Sequence, residues 1–391
     1  MRVLVNGVRL FFDVEGAGLV PEGRTMREKP TLLLLHGGPG FDHSIYKPAF
    51  SALADVAQVV YLDHRGNGRS DPGPREAWTL AQWGDDVRAF CEALGIEHPI
   101  VYGASFGGMV ALAYATRHPA HPAKLILVST EAAGATHRER RVALFERLGG
   151  PEVGALARRR FLEGHTDEAT LEAWVRLAFP VYTRTPRDPT VAQRVIRRPE
   201  VTRWFTRPGG EGQTFNLFPA LSRIQCPTLV MGGEDDPMVP IECQVDIAAA
   251  LPAHIVRFER FPGCGHAVLP DAPERALTVI RDFILTETVD PFVAEAARRI
   301  LERTEWKDDR VLRLADRPAN RAGDRPAPSW PGHRLVHRRC SASQAATVAT
   351  RAWALSLKPW AAALRGRGFG STMSFTLGAS DPAVVAADSS A

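Results

Sequence analysis

Three residues of this 391-residue chain have the types and placement that nucleophilic catalysis needs. Ser105 lies in Gly103-Ala104-Ser105-Phe106-Gly107, a G-x-S-x-G pattern directly after the apolar run Ile100 to Tyr102 and directly before a helical stretch. Small residues there permit a sharp strand-to-helix turn that lifts the hydroxyl clear of a sheet. The helix start adds free N–H groups and the positive end of a dipole. A serine hydroxyl is a weak nucleophile at neutral pH, so the chemistry requires a histidine base and an acid to orient it. Asp236 follows the apolar run Thr228 to Met231, in Gly233-Glu234-Asp235-Asp236-Pro237, and His266 follows Ile255 to Phe258, in Pro262-Gly263-Cys264-Gly265-His266. Asp235 competes for the acid role. Asp236 is preferred because its proline neighbour fixes the turn.

An acyl-transfer reading also needs donors for the developing oxyanion. His36-Gly37-Gly38-Pro39-Gly40 closes the first buried run, and its glycines let backbone approach a substrate closely. The N–H groups of Gly38 and Phe106 are the expected pair. The other histidines lack comparable placement and read as surface or structural. No Cys, His, Asp or Glu group has metal-ligand spacing, and no G-x-G-x-x-G follows a strand, so neither a metal nor a nucleotide cofactor is expected.

These residues need a scaffold, and the hydrophobic pattern supplies one. Continuous apolar runs at Thr31 to Leu35, Val56 to Leu62, Ile100 to Tyr102, Lys124 to Ser129, Thr228 to Met231 and Ile255 to Phe258 suit strands buried on both faces of a parallel sheet. Helical stretches at Leu80 to Leu94, Gly107 to Thr116, Glu242 to Leu251 and Pro273 to Ile284 separate them, which predicts an α/β fold with a mostly parallel central sheet. Val3 to Val5 and Arg9 to Val14 flank Asn6-Gly7 and read as a hairpin. Gly16 to Pro30 reads as loop. The alternation breaks between Glu131 and Ser222, where helical sequence predicts an inserted cap over the ligand-binding edge. The expected domains are thus 1–130 with 223–289 as the core, 131–222 as the cap, and 290–391 as a basic C-terminal extension of low order.

Composition excludes several classes. Hydrophobic residues make up 45% and charged residues 24%, as in a globular protein. The net charge of +4 comes from the end of the chain: residues 290–391 hold 16 Lys and Arg against 10 Asp and Glu, which leaves residues 1–289 at −2. Nucleic acid is therefore not an expected partner of the body. Five scattered cysteines give no disulfide framework, and no apolar run reaches the length of a signal-peptide core or a membrane span. A cytoplasmic protein without a membrane partner is expected.

The motifs together resemble the α/β-hydrolase superfamily and, within it, the proline iminopeptidase-like group. His36-Gly37-Gly38-Pro39-Gly40 is similar to that group's oxyanion motif, and Asp63-His64-Arg65-Gly66-Asn67-Gly68-Arg69-Ser70 resembles its D-x-R-G-x-G-x-S loop. The resemblance covers residues 3 to 287 and implies a cofactor-free serine hydrolase with nucleophile Ser105, acid Asp236 and base His266. It also implies peptides with N-terminal proline or another small residue as substrates. Two departures weaken the aminopeptidase reading, and the alternative is a carboxylesterase or lactonase acting on small acyl esters. The group's elbow reads G-G-S-W-G, whereas here Ala104 precedes and Phe106 follows the serine. The cap holds 15 Arg and no Lys against 11 Asp and Glu, and Glu211 is the candidate among those acids to hold a substrate amine. A non-catalytic binding protein of the same fold is the reading from another class.

Overall fold

The computed structural model describes residues 1–134, 136–186 and 188–286. The expected extension 290–391 lies outside the described residues. Among the described residues ten strands form: β1 (Arg2–Val5), β2 (Val8–Glu15), β3 (Leu19–Glu22), β4 (Thr25–Glu28), β5 (Thr31–Leu35), β6 (Gln58–Leu62), β7 (Ile100–Ala104), β8 (Lys124–Val128), β9 (Thr228–Gly233) and β10 (Val256–Phe261). Eight of them build one sheet in the order β1-β2-β6-β5-β7-β8-β9-β10. The first two pairings in that order are antiparallel and the rest are parallel. Asn6 and Gly7 both take positive φ, 45° and 79°, as a two-residue primed turn between β1 and β2 requires.

The apolar runs are buried on both faces because helices cover both. Leu33 and Leu35 of β5 pack with Val60, Val101 and Leu127 against Trp83, Val87, Phe90 and Val110. Leu32 and Leu34 point the other way, onto Phe50, Val279, Ile280 and Phe283. This is the period-two alternation of a strand, with both phases apolar. Each fully buried leucine contributes about 1.5–3 kcal/mol relative to exposure.

Two helices carry the first face. In α1 (Leu80–Leu94) the Thr79 side chain accepts from Gln82 N–H, and Gly95, at φ 65°, closes the C-terminus by donating to Cys91 and Glu92 carbonyls. Helix α2 (Phe106–Arg117) crosses α1 at Gly84, where an added Cβ would lie 2.9 Å from Tyr114 N. Only glycine allows that approach.

Between β8 and β9 come α3 (Arg138–Gly149), α4 (Pro151–Phe161), α5 (Glu168–Ala173), α6 (Pro189–Arg194), α7 (Pro199–Thr206), α8 (Glu211–Thr214) and α9 (Phe218–Leu221). Val142, Phe145, Val153, Leu156, Ala157, Trp174, Ala178 and Tyr182 give this segment an apolar cluster of its own. Helices α10 (Ile241–Ala250), α11 (Val268–Asp271) and α12 (Pro273–Leu285) complete the fold.

The sequence expectation fails at Gly16 to Pro30, where β3 and β4 pair as a separate antiparallel hairpin turning at Gly23, φ 60°. Its residues are almost all exposed, so no buried face imposes the alternation by which a strand is recognised.

Candidate active site

The elbow holds Ser105 at φ 53° and ψ −121°, a sparsely populated conformation that costs on the order of 1–3 kcal/mol for a non-glycine residue. Neighbouring structure holds it there. Ser105 N–H donates to the Val128 carbonyl at 2.9 Å, and the Ser105 carbonyl accepts from Thr130 Oγ1 at 2.7 Å and from Gly108 N–H at 2.9 Å. Both elbow glycines are obligatory: an added Cβ would meet Gly107 O at 2.3 Å from position 103 and Leu35 O at 2.0 Å from position 107.

The structure brings the three sequence candidates together. His266 Nε2 lies 3.0 Å from Ser105 Oγ, and His266 Nδ1 lies 2.8 Å from Asp236 Oδ2. Asp236 is fully buried, and its Oδ1 accepts the N–H groups of Met238 and Val239, both at 2.8 Å. These bonds replace the water the carboxylate lost and aim Oδ2 at the imidazole. Asp235 turns outward and pairs with Arg147 at 2.6 Å. His266 is fixed from the inserted segment as well. Its N–H donates to Tyr182 O at 2.6 Å, and its ring meets the Tyr182 ring edge-on, centroids 5.4 Å apart.

Phe106 is the first residue of α2, so its N–H has no acceptor within the helix. Its ring is buried between Trp83 (centroids 4.9 Å), Phe205 (5.3 Å) and His64 (5.6 Å). Gly38 has φ 71°, and its carbonyl accepts from Phe41 N–H at 3.0 Å in a tight turn. Gly37, which sequence reasoning did not single out, also lies against the elbow: an added Cβ would lie 3.0 Å from Ala104 O and 3.4 Å from Ser105 Cβ. His36 Nε2 accepts the His64 N–H at 3.3 Å, which leaves Nδ1–H to donate to Gly37 O at 3.1 Å. Burial holds both His36 and His64 below the usual imidazole range, and charge on His36 pushes His64 further down.

The loop after β6 braces this turn. Arg65 forms a bidentate pair with Asp86 (Nε to Oδ2 2.8 Å, Nη2 to Oδ1 2.7 Å) in which both side chains are 3% exposed. Asn67 Oδ1 accepts Gly40 N–H at 2.5 Å. Asp42, His43 and Asp63 converge with their ligating atoms within 4.8 Å, a grouping the spacing did not reveal. Their oxygens are already taken by protein donors. Asp42 accepts from Ser44 and Arg69, and Asp63 accepts from His43 and from Arg69 N–H. A cation there would meet the Arg69 guanidinium at Asp42.

Glu211 stands at the start of α8, where its Oε2 accepts Leu80 N–H at 2.8 Å. The carboxylate thereby caps the first turn of α1, and burial raises its pKa. Sequence reasoning missed a buried ion pair near His266. Glu131, just beyond β8, pairs with Arg141 of α3, and both are buried. Burial raises the Glu131 pKa against the opposing pull of Arg141, and His266 is near enough to act on it too. Its position past the end of a parallel strand was the available signal. No cysteine competes as nucleophile among the described residues. Cys91, Cys226 and Cys243 are buried free thiols pushed up to about 12. No described helix is long and apolar enough to cross a membrane.

The chain resembles several known hydrolases over this same region. It is 29% identical over 259 residues to RutD, a candidate carbamate hydrolase of a Caulobacter species, covering 65% of this chain and 91% of that protein. It is 27% identical over 281 residues to the proline iminopeptidase of Lactobacillus helveticus, covering 66% and 90%. Among solved structures, the proline iminopeptidase of Mycobacterium smegmatis superposes with a TM-score of 0.59 at 25% identity, covering 73% of this chain and 97% of that one. The profile of the alpha/beta hydrolase fold matches residues 30–273, the stretch from the first parallel strand to the start of α12. With more than half its length inside that match, the chain belongs to the alpha/beta hydrolase fold family.

Proposed function

We propose that the protein is a serine hydrolase in which Ser105 attacks an acyl carbon. His266 Nε2 takes the hydroxyl proton and later returns it to the leaving group. Asp236 keeps the imidazole in the tautomer with the proton on Nδ1 and stabilises its charged form. The N–H groups of Gly38 and Phe106 receive the oxyanion, and water then releases the acyl group by the same proton path in reverse. The segment 131–222 serves as a cap whose Tyr182 holds His266. The observation that carries this reading is the continuous run of contacts from Ser105 Oγ through His266 to Asp236, at 3.0 and 2.8 Å.

For the substrate, the relatives named proline iminopeptidase support release of N-terminal proline or a small residue from peptides. One observation favours the ester or lactone reading instead. A substrate amine needs a free carboxylate, while Glu211 is bonded to Leu80 N–H and Glu131 to Arg141.

Hydrolysis of proline p-nitroanilide beside p-nitrophenyl butyrate, with wild type and Ser105→Ala, tests both. Anilide cleavage lost in the variant supports the aminopeptidase. Cleavage of the ester alone, again lost in the variant, supports the esterase. Activity on neither, or activity that survives in Ser105→Ala, removes the serine-hydrolase reading for these substrates and favours a binding protein.

A further inference from the structure

Six described arginines of the segment between β8 and β9 have oxygen partners for their side chains, Arg198 and Arg207 through the carbonyls of Gly68 and Trp204. Arg141 pairs with Glu131, Arg140 with Glu242, and Arg147 with Asp235, while Arg194 donates to backbone carbonyls. Most of those without one, such as Arg158, Arg159 and Arg176, are exposed, whereas Arg160, the second-last residue of α4, is partly buried. Its guanidinium carbon lies 4.6 Å above the Trp174 ring and 6.0 Å from the Phe161 ring, and among the described residues no carboxylate or carbonyl accepts from it.

Its surroundings lead to the triad. Trp174 Nε1 donates to Tyr182 Oη at 2.9 Å, and the Tyr182 ring lies against His266. Two aromatic rings therefore separate Arg160 from the base. Arg141 shares the Phe161 ring, at 5.4 Å, and its own charge is matched by Glu131. Burial and the nearby Arg141 both push the Arg160 pKa down, the direction expected for a cation short of a counter-ion.

An indole face attracts a guanidinium but accepts none of its five N–H donors. A half-buried guanidinium without oxygen partners is costly, and a carboxylate satisfies two donors at once in fork geometry. A cationic substrate amine would instead meet like charge. We propose that Arg160 receives a carboxylate of the substrate, so that this site acts on anionic acyl compounds. The inference rests on the hydrolase reading of Ser105 and narrows its substrate class. The carboxylate can belong to the acyl half, as in a dicarboxylic hemi-ester, or to the leaving half, as in a short peptide.

Two matched pairs distinguish these sources: p-nitrophenyl hemiglutarate against p-nitrophenyl valerate, and prolyl-glycine against prolyl-glycinamide. The expected result is a preference of about tenfold or more in kcat/KM for the charged member of one pair. Arg160→Gln should abolish it by raising KM, with kcat on the neutral member within about twofold of wild type. Arg160→Lys, which keeps the charge over the indole but not the fork, should retain part of the preference even if the glutamine variant folds poorly. Equal rates within both pairs in wild type, or a preference that persists in Arg160→Gln, would overturn the proposal.

If no substrate is cleaved in a Ser105-dependent way, the hydrolase reading fails separately, and binding decides. Glutarate but not glutaramide should then raise the melting temperature of wild type and of Ser105→Ala but not of Arg160→Gln. No such difference rejects the carboxylate site.

Discussion

Ser105 Oγ and His266 Nε2 lie 3.0 Å apart although 161 positions separate them in the chain. Each is held by backbone rather than by the other. Ser105 is tied to Val128 and Thr130 at the end of β8, and His266 to Tyr182 in the inserted segment. Substituting one should therefore leave the other in place.

Ser105→Ala and His266→Ala should each lower kcat by on the order of 10⁴-fold or more, and the double variant should be little worse than either. Asp236→Asn should fall by a similar factor, because the amide stabilises the wrong imidazole tautomer. Asp235→Asn should stay near wild type, since its carboxylate meets only the exposed Arg147. Steady-state kinetics on the cleaved substrate, with melting curves beside them, decide this. An Asp235 variant as impaired as the Asp236 variant would reassign the acid.

Gly37→Ala places a methyl group 3.0 Å from Ala104 O and 3.4 Å from Ser105 Cβ. That contact must push the elbow and the Gly37–Gly38 turn apart by a few tenths of an ångström. The expected outcome is a fall in kcat of about 10- to 100-fold with a change in KM of less than about threefold, because misplacement acts chiefly on the transition state. An unchanged kcat would show that the turn is free to shift.

The Arg65–Asp86 pair should be structural and strong. Asp86 also accepts from Asn6 and Gln82, at 2.9 Å each. Asp86→Ala strands the guanidinium in the interior and should cost about 3–5 kcal/mol in urea unfolding. The double change Arg65→Met with Asp86→Leu should recover much of that loss, since apolar side chains need no partner there. A loss below about 1 kcal/mol in the single variant would contradict the burial.

Acid should weaken the fold through His64. Its Nε2 is buried without a partner among the described residues, and its ring packs on His36 at 4.5 Å. Burial holds its folded pKa well below the ordinary 6.5, so below that pH the unfolded chain binds a proton the folded one refuses. Stability is thus present above pH 6.5 and lost as pH falls toward the folded value. Melting temperatures between pH 7.5 and 5 should decline, and His64→Gln should flatten the decline. Equal slopes for both proteins would assign the acid sensitivity to other groups.

Glu211→Ala should lower stability by about 1 kcal/mol through loss of the bond to Leu80 N–H, and Glu211→Gln by less, since the amide oxygen can still accept. KM for an amine-bearing substrate should not move in either. A raised KM in Glu211→Gln without a change in melting temperature would return the residue to substrate binding.

Much of the site was legible because its parts are local in sequence. The Gly103 to Gly107 elbow, the His36 to Gly40 turn and the loops bearing Asp236 and His266 each follow an apolar run, and parallel strands place all their C-terminal ends at one edge of the sheet. Chain order then brings serine, acid and base together without further information. The exposed β3–β4 hairpin escaped the same reasoning because nothing buried enforces its alternation. The choice between Asp235 and Asp236 rested on the neighbouring proline. The structure separates them by burial, with one carboxylate facing Arg147 and the other facing His266.

What the sequence determined is therefore what is local along the chain: strands, helices, turns and the loops bearing Ser105, Asp236 and His266. Only the tertiary structure decided which charges are neutralised. Glu131 with Arg141, Arg65 with Asp86, Glu211 with the start of α1, and Arg160 with no acid among the described residues are outcomes of how separate elements pack. No periodicity encodes such pairings, because an ion pair depends on the position of two side chains in space rather than on their spacing along the chain.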